Sequence, residues 1–431
     1  MRIKLGVFFG GNTVEHEISV ITYHQAISSI DEEKYEIVPI YIAKNGAMYT
    51  GDDLFELESF KDLDVLLKRC YKVAVINTGK EVQVVRVPAP LFGKKILNTI
   101  DVAFPIVHGT NCEDGTLAGF LNLLEIPFVG PDVLSSALGM DKIVQKRVLR
   151  DANIPVVNFV SFYSTEYVDD EDKILDEIED SLGFPVIVKP GNTGSSVGIR
   201  KAKTRGELAE DIEYAMEFSD RVLVEHCVEN LQEINCSVIG DLTESEASIL
   251  EEPFFNDDIL SYQDKYIGNG KTGGTITGGK SGKMQPAKMQ PAKMAAPQKG
   301  GSKGGKVSGF ADKKIPAEVS DETKEKIQEL AKEVFKVLGC SGVCRIDFLI
   351  DKAKDIIYVN EINTIPGALS YYLWEASGKT FTEELDQVID IALKKRREKE
   401  KLTFSNEINI LAMQGSGVKG QKGIKGTKGK M

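Results

Sequence analysis

No uninterrupted apolar run in this sequence approaches the roughly 18 residues that a membrane-spanning helix needs, although 42% of its 431 residues are hydrophobic. A soluble chain is the expectation. Cysteine is scarce, with six residues (Cys70, Cys112, Cys227, Cys236, Cys340 and Cys344) and no CxxC pair. That excludes a disulfide framework, and with no histidine near Cys340 and Cys344 it excludes a zinc site as well. Free thiols of a cytoplasmic protein remain. The amino terminus lacks a small-residue cleavage motif, and Glu15 and Glu17 follow its apolar stretch closely. Met1 to Gly11 therefore reads as a strand that stays in the protein.

Positive charge is equally scarce outside two segments. The stretch Gly268 to Ala311 holds eight lysines and no acid, and the tail from Gly415 holds five lysines and no acid. Setting those thirteen charges aside turns the net −12 of the chain into −25 for the remainder. So acidic a body argues against nucleic-acid binding, which wants a basic folded face. The lysine-rich stretch includes KMQPA at Lys283 and again at Lys288 and has too few apolar residues to offset the entropy of ordering. We read 268–311 as a mobile insertion and 401–431 as a basic tail.

At about 150 residues per domain, the length allows two or three domains and a cleft between them. Short apolar strands alternate with helical patterns from Ile3 to about Pro131, which predicts a small parallel α/β domain. "VGPDVLSSALGMDK" opens a new helical pattern, with Ser135 and Ser136 as candidate caps. The strand Val186 to Val188 runs into the Gly-rich loop "KPGNTGSSVG", and Val222 to Glu225 forms a further strand. Beyond the insertion, Ser320 caps an amphipathic helix that ends at Gly339. The strands Val343 to Ile350 and Ile356 to Ile362 are joined by "DKAKD", and a last helix runs from Phe381 to a basic end at Lys394 to Arg397. That basic end complements the helix dipole.

The strand pair near the carboxyl end carries the strongest chemical signal. Arg345 and Asp347 share one strand face, and so do Glu361 and Asn363; a hairpin centred on Ala353 would gather all four. Asp347, Glu361 and Asn363 are hard oxygen ligands of the kind Mg²⁺ takes together with nucleotide phosphates, and Arg345 is a rigid fork of donors for developing negative charge. Lys189, Gly191, Gly194, Ser195 and Ser196 offer backbone N–H groups and a cation to a phosphate. No G-K-[ST] follows, so the loop is not of the Walker type. Glu15, in the first turn of a helix, is either a dipole partner or an acid aimed at a ligand ammonium. His108, at a strand end in "FPIVHGTNCEDG", is either structural or part of a site.

In order along the chain, "GGNTVEHEIS", "HGTNCEDGTLAGFL", "SALGMDK", "FPVIVKPGNTGSSVG", "QDKY", "GCSGVCRIDF" and "NEINTIPG" resemble the D-alanine-D-alanine ligases of the ATP-grasp superfamily. The resemblance covers about Ile3 to Leu393 apart from the insertion. It implies an ATP-grasp fold preceded by the small parallel α/β domain. The division would be 1–133 for the amino-terminal domain, 134–220 for a small lobe and 221–400 for a large lobe interrupted by the insertion. It further implies ATP, two Mg²⁺ ions (or Mn²⁺) on Asp347, Glu361 and Asn363, a cytoplasmic homodimer without membrane contact, and an acyl-phosphate route. Lys142, Lys189 and Ser196 would hold phosphates and Lys265 the transferring one. Glu225, His226, Val228 and Glu233 would bind adenosine, the separation of the two acids being one residue longer than usual.

Glu15 would take the first amino acid's ammonium, with Ser195 and Tyr266 linked to it and His108 helping to orient that substrate. Arg345 and the N–H of Gly367 would stabilise the oxyanion, so Arg345→Ala should abolish turnover and spare nucleotide binding. Where the family offers a serine to the second substrate's carboxylate, this sequence has Tyr372, with Ser370 two positions earlier. That departure leaves open a different second amino acid, such as D-serine. The rival of another class is an ATP-binding scaffold without turnover, its lysine-rich segments holding an acidic partner or RNA.

Overall fold

The computed structural model describes residues 2–194, 197–254 and 313–404. Its first sheet contains β1 (Ile3–Gly10), β2 (Tyr35–Ile42), β3 (Met48–Thr50), β4 (Tyr71–Asn77), β5 (Val82–Arg86), β6 (Ile96–Ile100) and β7 (Val102–Val107), in the order β6-β5-β4-β3-β2-β1-β7. β1 is parallel to β2 and β7, whereas β2 to β6 form an antiparallel meander. The expected parallel domain is thus half parallel. The meander strands alternate buried and open positions, so they carry no long apolar run to announce them. Helices α1 (His16–Ile27), α2 (Leu63–Arg69) and α3 (Thr116–Leu123) complete this part.

Two helices, α4 (Val133–Met140) and α5 (Lys142–Asp151), lead to the second sheet. Asp132 caps α4 by accepting from the Val133 N–H. The expected caps are engaged elsewhere, with Ser135 donating to the Gly339 carbonyl at 2.7 Å and Ser136 to that of Pro131. The second sheet is antiparallel: β8 (Phe159–Tyr163), β9 (Val186–Pro190), β10 (Arg200–Ala202) and β11 (Arg221–His226), in the order β10-β9-β11-β8. Helices α6 (Ser164–Asp169), α7 (Glu171–Leu182) and α8 (Arg205–Met216) accompany it. Ile174, Ile178, Leu208 and Ile212 bury the Val186, Val188, Val222 and Val224 face. Lys189 and Glu225, one position out of phase, lie on the other face.

The third sheet is β12 (Leu231–Gly240), β13 (Ser245–Pro253), β14 (Lys313–Lys314), β15 (Gly342–Asp351) and β16 (Ile356–Asn363), in the order β14-β13-β12-β15-β16. Helix α9 (Asp321–Val337), capped by Ser320 as expected, buries Ile327, Val334 and Phe335 against Ile234, Cys236, Ile346 and Phe348. Helix α10 (Tyr371–Ala376) precedes α11 (Phe381–Lys399), whose Leu385, Val388 and Ile389 share one core with Leu5 and Phe104 of the first sheet and Ile239 and Val343 of the third. The basic end of α11 does more than face a dipole, because Lys394 pairs with Asp241 at 2.8 Å and Arg396 donates to the Glu125 carbonyl at 2.8 Å.

Two expected limits shift. β11 pairs with β9 and β8, so the small-lobe sheet runs past 220 to His226. Leu149 and Ile154 lie in the large-lobe core. All six cysteines are free and buried, and no helix among the described residues is long and apolar enough to cross a membrane. The lysine-rich insertion and the tail from 405 lie outside the described residues.

Candidate active site

The polar face of the third sheet is built by register. Glu251, Asn235, Asp347 and Glu361 stand opposite one another across β13, β12, β15 and β16, and Arg345 stands opposite Asn363. The β15–β16 hairpin is not symmetric about Ala353. Pairs run evenly from Asp351 and Ile356 to Phe348 and Val359, then shift by one residue, leaving Asn360 as a bulge. Were Asn360 to pair with Asp347 instead of bulging, Glu361 would oppose Ile346 on the core side, since a one-residue slip exchanges the faces. Burial records the switch, because Ile357 and Val359 enter the core and then Ile362 does.

Asp347 accepts from Arg345 Nε at 2.7 Å, from Arg345 Nη2 at 2.8 Å and from Asn363 Nδ2 at 3.0 Å. Burial works against the Arg345 charge, but Asp347 outweighs it and raises the pKa of the guanidinium further. The Glu361 carboxylate lies 3.3 Å from Lys142 Nζ. Among the described residues no three His, Cys, Asp or Glu form a metal cluster. Two carboxylates and an amide in adjacent rows instead fit a hard divalent ion that keeps water or shares phosphate oxygens.

Facing this row, the second sheet presents Lys189. Its Nζ lies 2.6 Å from Glu225 and donates to Asn360 Oδ1 at 3.2 Å, joining the small lobe to the bulge. The other Glu225 oxygen lies 2.7 Å from Nζ of Lys146 on α5. Burial alone would raise the Glu225 carboxyl, but the two ammonium groups hold it down to about 2. Lys142 donates to the Thr193 carbonyl of the Gly-rich loop at 2.8 Å. Glu233 is half-buried on β12, His226 Nδ1 meets the Leu182 carbonyl at 3.2 Å, and Val228 is buried. A cavity of about 250 Å³ beside them is lined by Asn158, Leu182, His226, Val228 and Tyr358.

The first domain contributes the third wall. Glu15 is buried at the start of α1, between two glycines so close that a Cβ at Gly109 would lie 2.3 Å from its Oε2 and one at Gly194 2.8 Å from it. The Gly-rich loop and the His108 loop thus converge on one carboxylate. His108 is buried and uses both ring nitrogens within the protein, on the Ile365 carbonyl at 2.9 Å and on Thr22 Oγ1 at 3.2 Å. Burial lowers its pKa to about 4. It therefore stands as a neutral strut behind the wall. Glu113 accepts from Gly109 N–H at 3.0 Å, from Thr364 Oγ1 at 3.1 Å and from Ile365 N–H at 2.9 Å. Burial and the Glu15 charge push it up to about 7.

Gly367 opens a short turn in which Ala368, Leu369 and Ser370 all have left-handed φ, at 52°, 53° and 59°. Each non-glycine residue there costs on the order of 1 kcal/mol or more. Ser370 is fully buried and its Oγ has no hydrogen-bond partner among the described residues. The Tyr372 hydroxyl donates to Glu251 at 2.9 Å, with Lys313 Nζ 3.1 Å from the ring centroid. The position expected to receive a carboxylate already holds one. Ser195, Ser196, Lys265 and Tyr266 lie outside the described residues.

Sequence reasoning missed Lys146, Glu113, Asn360 and Glu251. Lys146 follows Lys142 by one helical turn, and the apolar spacing Ile357, Val359, Ile362 marks the bulge at Asn360. Glu113 lies inside a quoted motif, and Glu251 had no signal.

Comparison with known proteins gives a concordant result. The family model for the D-ala D-ala ligase N-terminus matches residues 4–131, and that for the D-ala D-ala ligase C-terminus matches 148–294 and 306–390. The D-alanine--D-alanine ligase of Thermosipho melanesiensis is 39% identical over 412 residues, covering 96% of this chain and 99% of that one. That of Clostridium acetobutylicum is 36% identical over 400 residues, covering 91% and 98%. The D-alanine-D-alanine ligase structure from Coxiella burnetii aligns with a TM-score of 0.71 at 27% identity, covering 93% of this chain and 96% of that one. The VanG D-Ala:D-Ser ligase of Enterococcus faecalis aligns at 0.70 and 29%, covering 91% and 100%. Sheet order, site geometry and relatives agree that this chain belongs to the D-alanine-D-alanine ligase family, with an ATP-grasp fold.

Proposed function

We propose that this chain joins two molecules of D-alanine into D-alanyl-D-alanine at the expense of ATP, a building step for peptidoglycan precursors. The observation that carries the reading is the meeting of Lys189 with Asn360 at 3.2 Å. It sets a phosphate-type cation of one sheet directly against the Asp347–Glu361 row of another.

The carboxylate of the first D-alanine attacks the γ-phosphorus of ATP and ADP leaves. The amine of the second D-alanine then attacks the acyl phosphate, and phosphate departs from the tetrahedral adduct. Glu15 holds the first ammonium within the wall that His108 supports. Lys142, Lys189, Ser196 and Lys265 bind the phosphates, and Glu225, His226, Val228 and Glu233 border the adenosine. Arg345, aligned by Asp347, and the Gly367 N–H face the oxyanion. Ser195 and Tyr266 would form a hydrogen-bonded set with Glu15. Asp347, Glu361 and Asn363 would hold two Mg²⁺ ions, with Mn²⁺ as substitute, and bound Mg²⁺ supplies neutralisation of phosphate charge. The working unit is a cytoplasmic homodimer.

One observation favours a second reading. The Tyr372–Glu251 pair stands where a serine was expected, and the structural neighbour VanG is a D-Ala:D-Ser ligase. D-serine is therefore the alternative second substrate. The test is ATP-dependent phosphate release with D-alanine alone, and with D-alanine plus D-serine, with mass spectrometry of the product. D-alanyl-D-alanine from D-alanine alone supports the first reading, turnover only in the mixture supports the second, and no turnover in either overturns both.

A further inference from the structure

Lys146 is a fully buried lysine on α5 that no step above uses. Its Nζ makes two contacts of different kinds, an ion pair with Glu225 at 2.7 Å and a hydrogen bond to the Asn360 carbonyl at 3.0 Å. Those partners belong to the two opposed sheets. Glu225 also neutralises Lys189 at 2.6 Å, and Asn360 is the residue whose bulged, unpaired state keeps Glu361 opposite Asp347. We propose that Lys146 is a positioning residue with two functions. By pairing with Glu225 it leaves Lys189 free to give its charge to nucleotide phosphate, and by fixing the Asn360 carbonyl it keeps the bulge in the register that presents Glu361 to a divalent ion.

Glu225 carries one negative charge between two ammonium groups, so the triad has one positive charge to spare. Without Lys146, Glu225 and Lys189 form a closed neutral pair, and phosphate must compete with a buried carboxylate for the same cation. A bulge is an unpaired residue in a ladder, and its position is only as fixed as the groups that hold it. Here two lysines hold it, Lys146 through the main chain and Lys189 through the side chain. Residues that orient metal ligands from behind typically change metal affinity by about 10- to 100-fold when replaced.

The inference rests on the nucleotide reading of the cleft, and its test separates the two contacts. Binding of ATP in the presence of Mg²⁺ is measured by calorimetry on the full chain without amino acid, and the Mg²⁺ concentration for half-maximal nucleotide binding is titrated alongside. Lys146→Met removes both contacts and should weaken ATP binding and raise the Mg²⁺ requirement, each by about tenfold or more. Lys146→Gln keeps a donor for the Asn360 carbonyl but no charge. It should weaken ATP binding while leaving the Mg²⁺ requirement within about twofold of the parent, and it serves as the test if Lys146→Met does not fold. ATP and Mg²⁺ binding unchanged in either folded variant overturns the proposal. So does equal impairment of both parameters by the two substitutions. Failure of the parent itself to bind ATP would instead overturn the nucleotide reading.

Discussion

Glu113 offers the sharpest test of the site's electrostatics. Its carboxyl accepts three hydrogen bonds, from Gly109, Thr364 and Ile365, yet burial and the neighbouring Glu15 charge push it from an ordinary value near 4.5 up to about 7. At about 1.4 kcal/mol per pH unit that displacement is worth ~3 kcal/mol, and the partial solvent contact of Glu113 reduces the expectation to about 2 kcal/mol. The sign follows from linkage. The folded state holds the proton more tightly than the unfolded chain, so the contribution is complete below pH 4.5 and is lost as pH rises through about 7. Glu113→Gln cannot ionise. Urea denaturation of both proteins at pH 5 and pH 8 should therefore show the stability of the parent relative to the variant falling by about 2 kcal/mol over that interval. Parallel pH curves would refute the assigned burial and charge coupling. An ammonium bound at Glu15 should also lower the Glu113 pKa, so substrate binding near pH 7 should release protons, seen as a dependence of binding heat on the ionisation enthalpy of the buffer.

Deleting Asn360 should give an uninterrupted ladder in which Glu361 follows Val359 directly and still opposes Asp347, so Mg²⁺-dependent nucleotide binding should persist; its loss would show that the contacts of Asn360 with Lys146 and Lys189, and not the facing of Glu361 alone, support the site. Arg345 holds two bonds to Asp347, so Arg345→Ala should not only stop turnover but also raise the Mg²⁺ requirement, which revises the simpler expectation that nucleotide binding is spared; an unchanged Mg²⁺ titration would return to it. Glu225→Gln leaves Lys146 and Lys189 facing each other and should cost about 3 to 5 kcal/mol at pH 7 by chemical denaturation. Because the Glu225 pKa is depressed to about 2, the stability it gives is present above its ordinary value of 4.5 and is lost as pH falls toward 2. The deficit of the variant should shrink accordingly at pH 3, and a deficit independent of pH would contradict the ion-pair account.

Much of the site was legible because its residues sit at fixed offsets within single strands. Arg345 and Asp347 share a face by the two-residue period, and any paired hairpin keeps them together. The facing of Glu361 was legible only in outcome. Pairing about Ala353 also gathers the four groups, but the actual route is a bulge whose sole local signal is the step from Val359 to Ile362. Contacts between distant segments were not legible at all. Nothing near Glu251 announces that Tyr372, 121 positions away, will donate to it. Nor does a motif containing Glu113 say that its carboxyl will receive Thr364 and Ile365. The meander β3 to β6 was missed for a related reason, since its strands bury one face only and carry no long apolar run.

Three acids of the site share one design that no single strand could reveal. Asp347 is matched by Arg345 at 2.7 Å, Glu361 by Lys142 at 3.3 Å and Glu225 by Lys146 and Lys189 at 2.7 and 2.6 Å. Each carboxylate thus has a resident cation before any ligand arrives, which removes the cost of an isolated buried charge. Glu113 is balanced differently, because burial and the adjoining Glu15 charge move it toward protonation. Charge balance by pairing suits the nucleotide side, where metal and phosphate bring opposite charges together and exchange partners with the residents. On the proposed function, balance by a proton would present an arriving ammonium with one anion where two carboxyl groups stand.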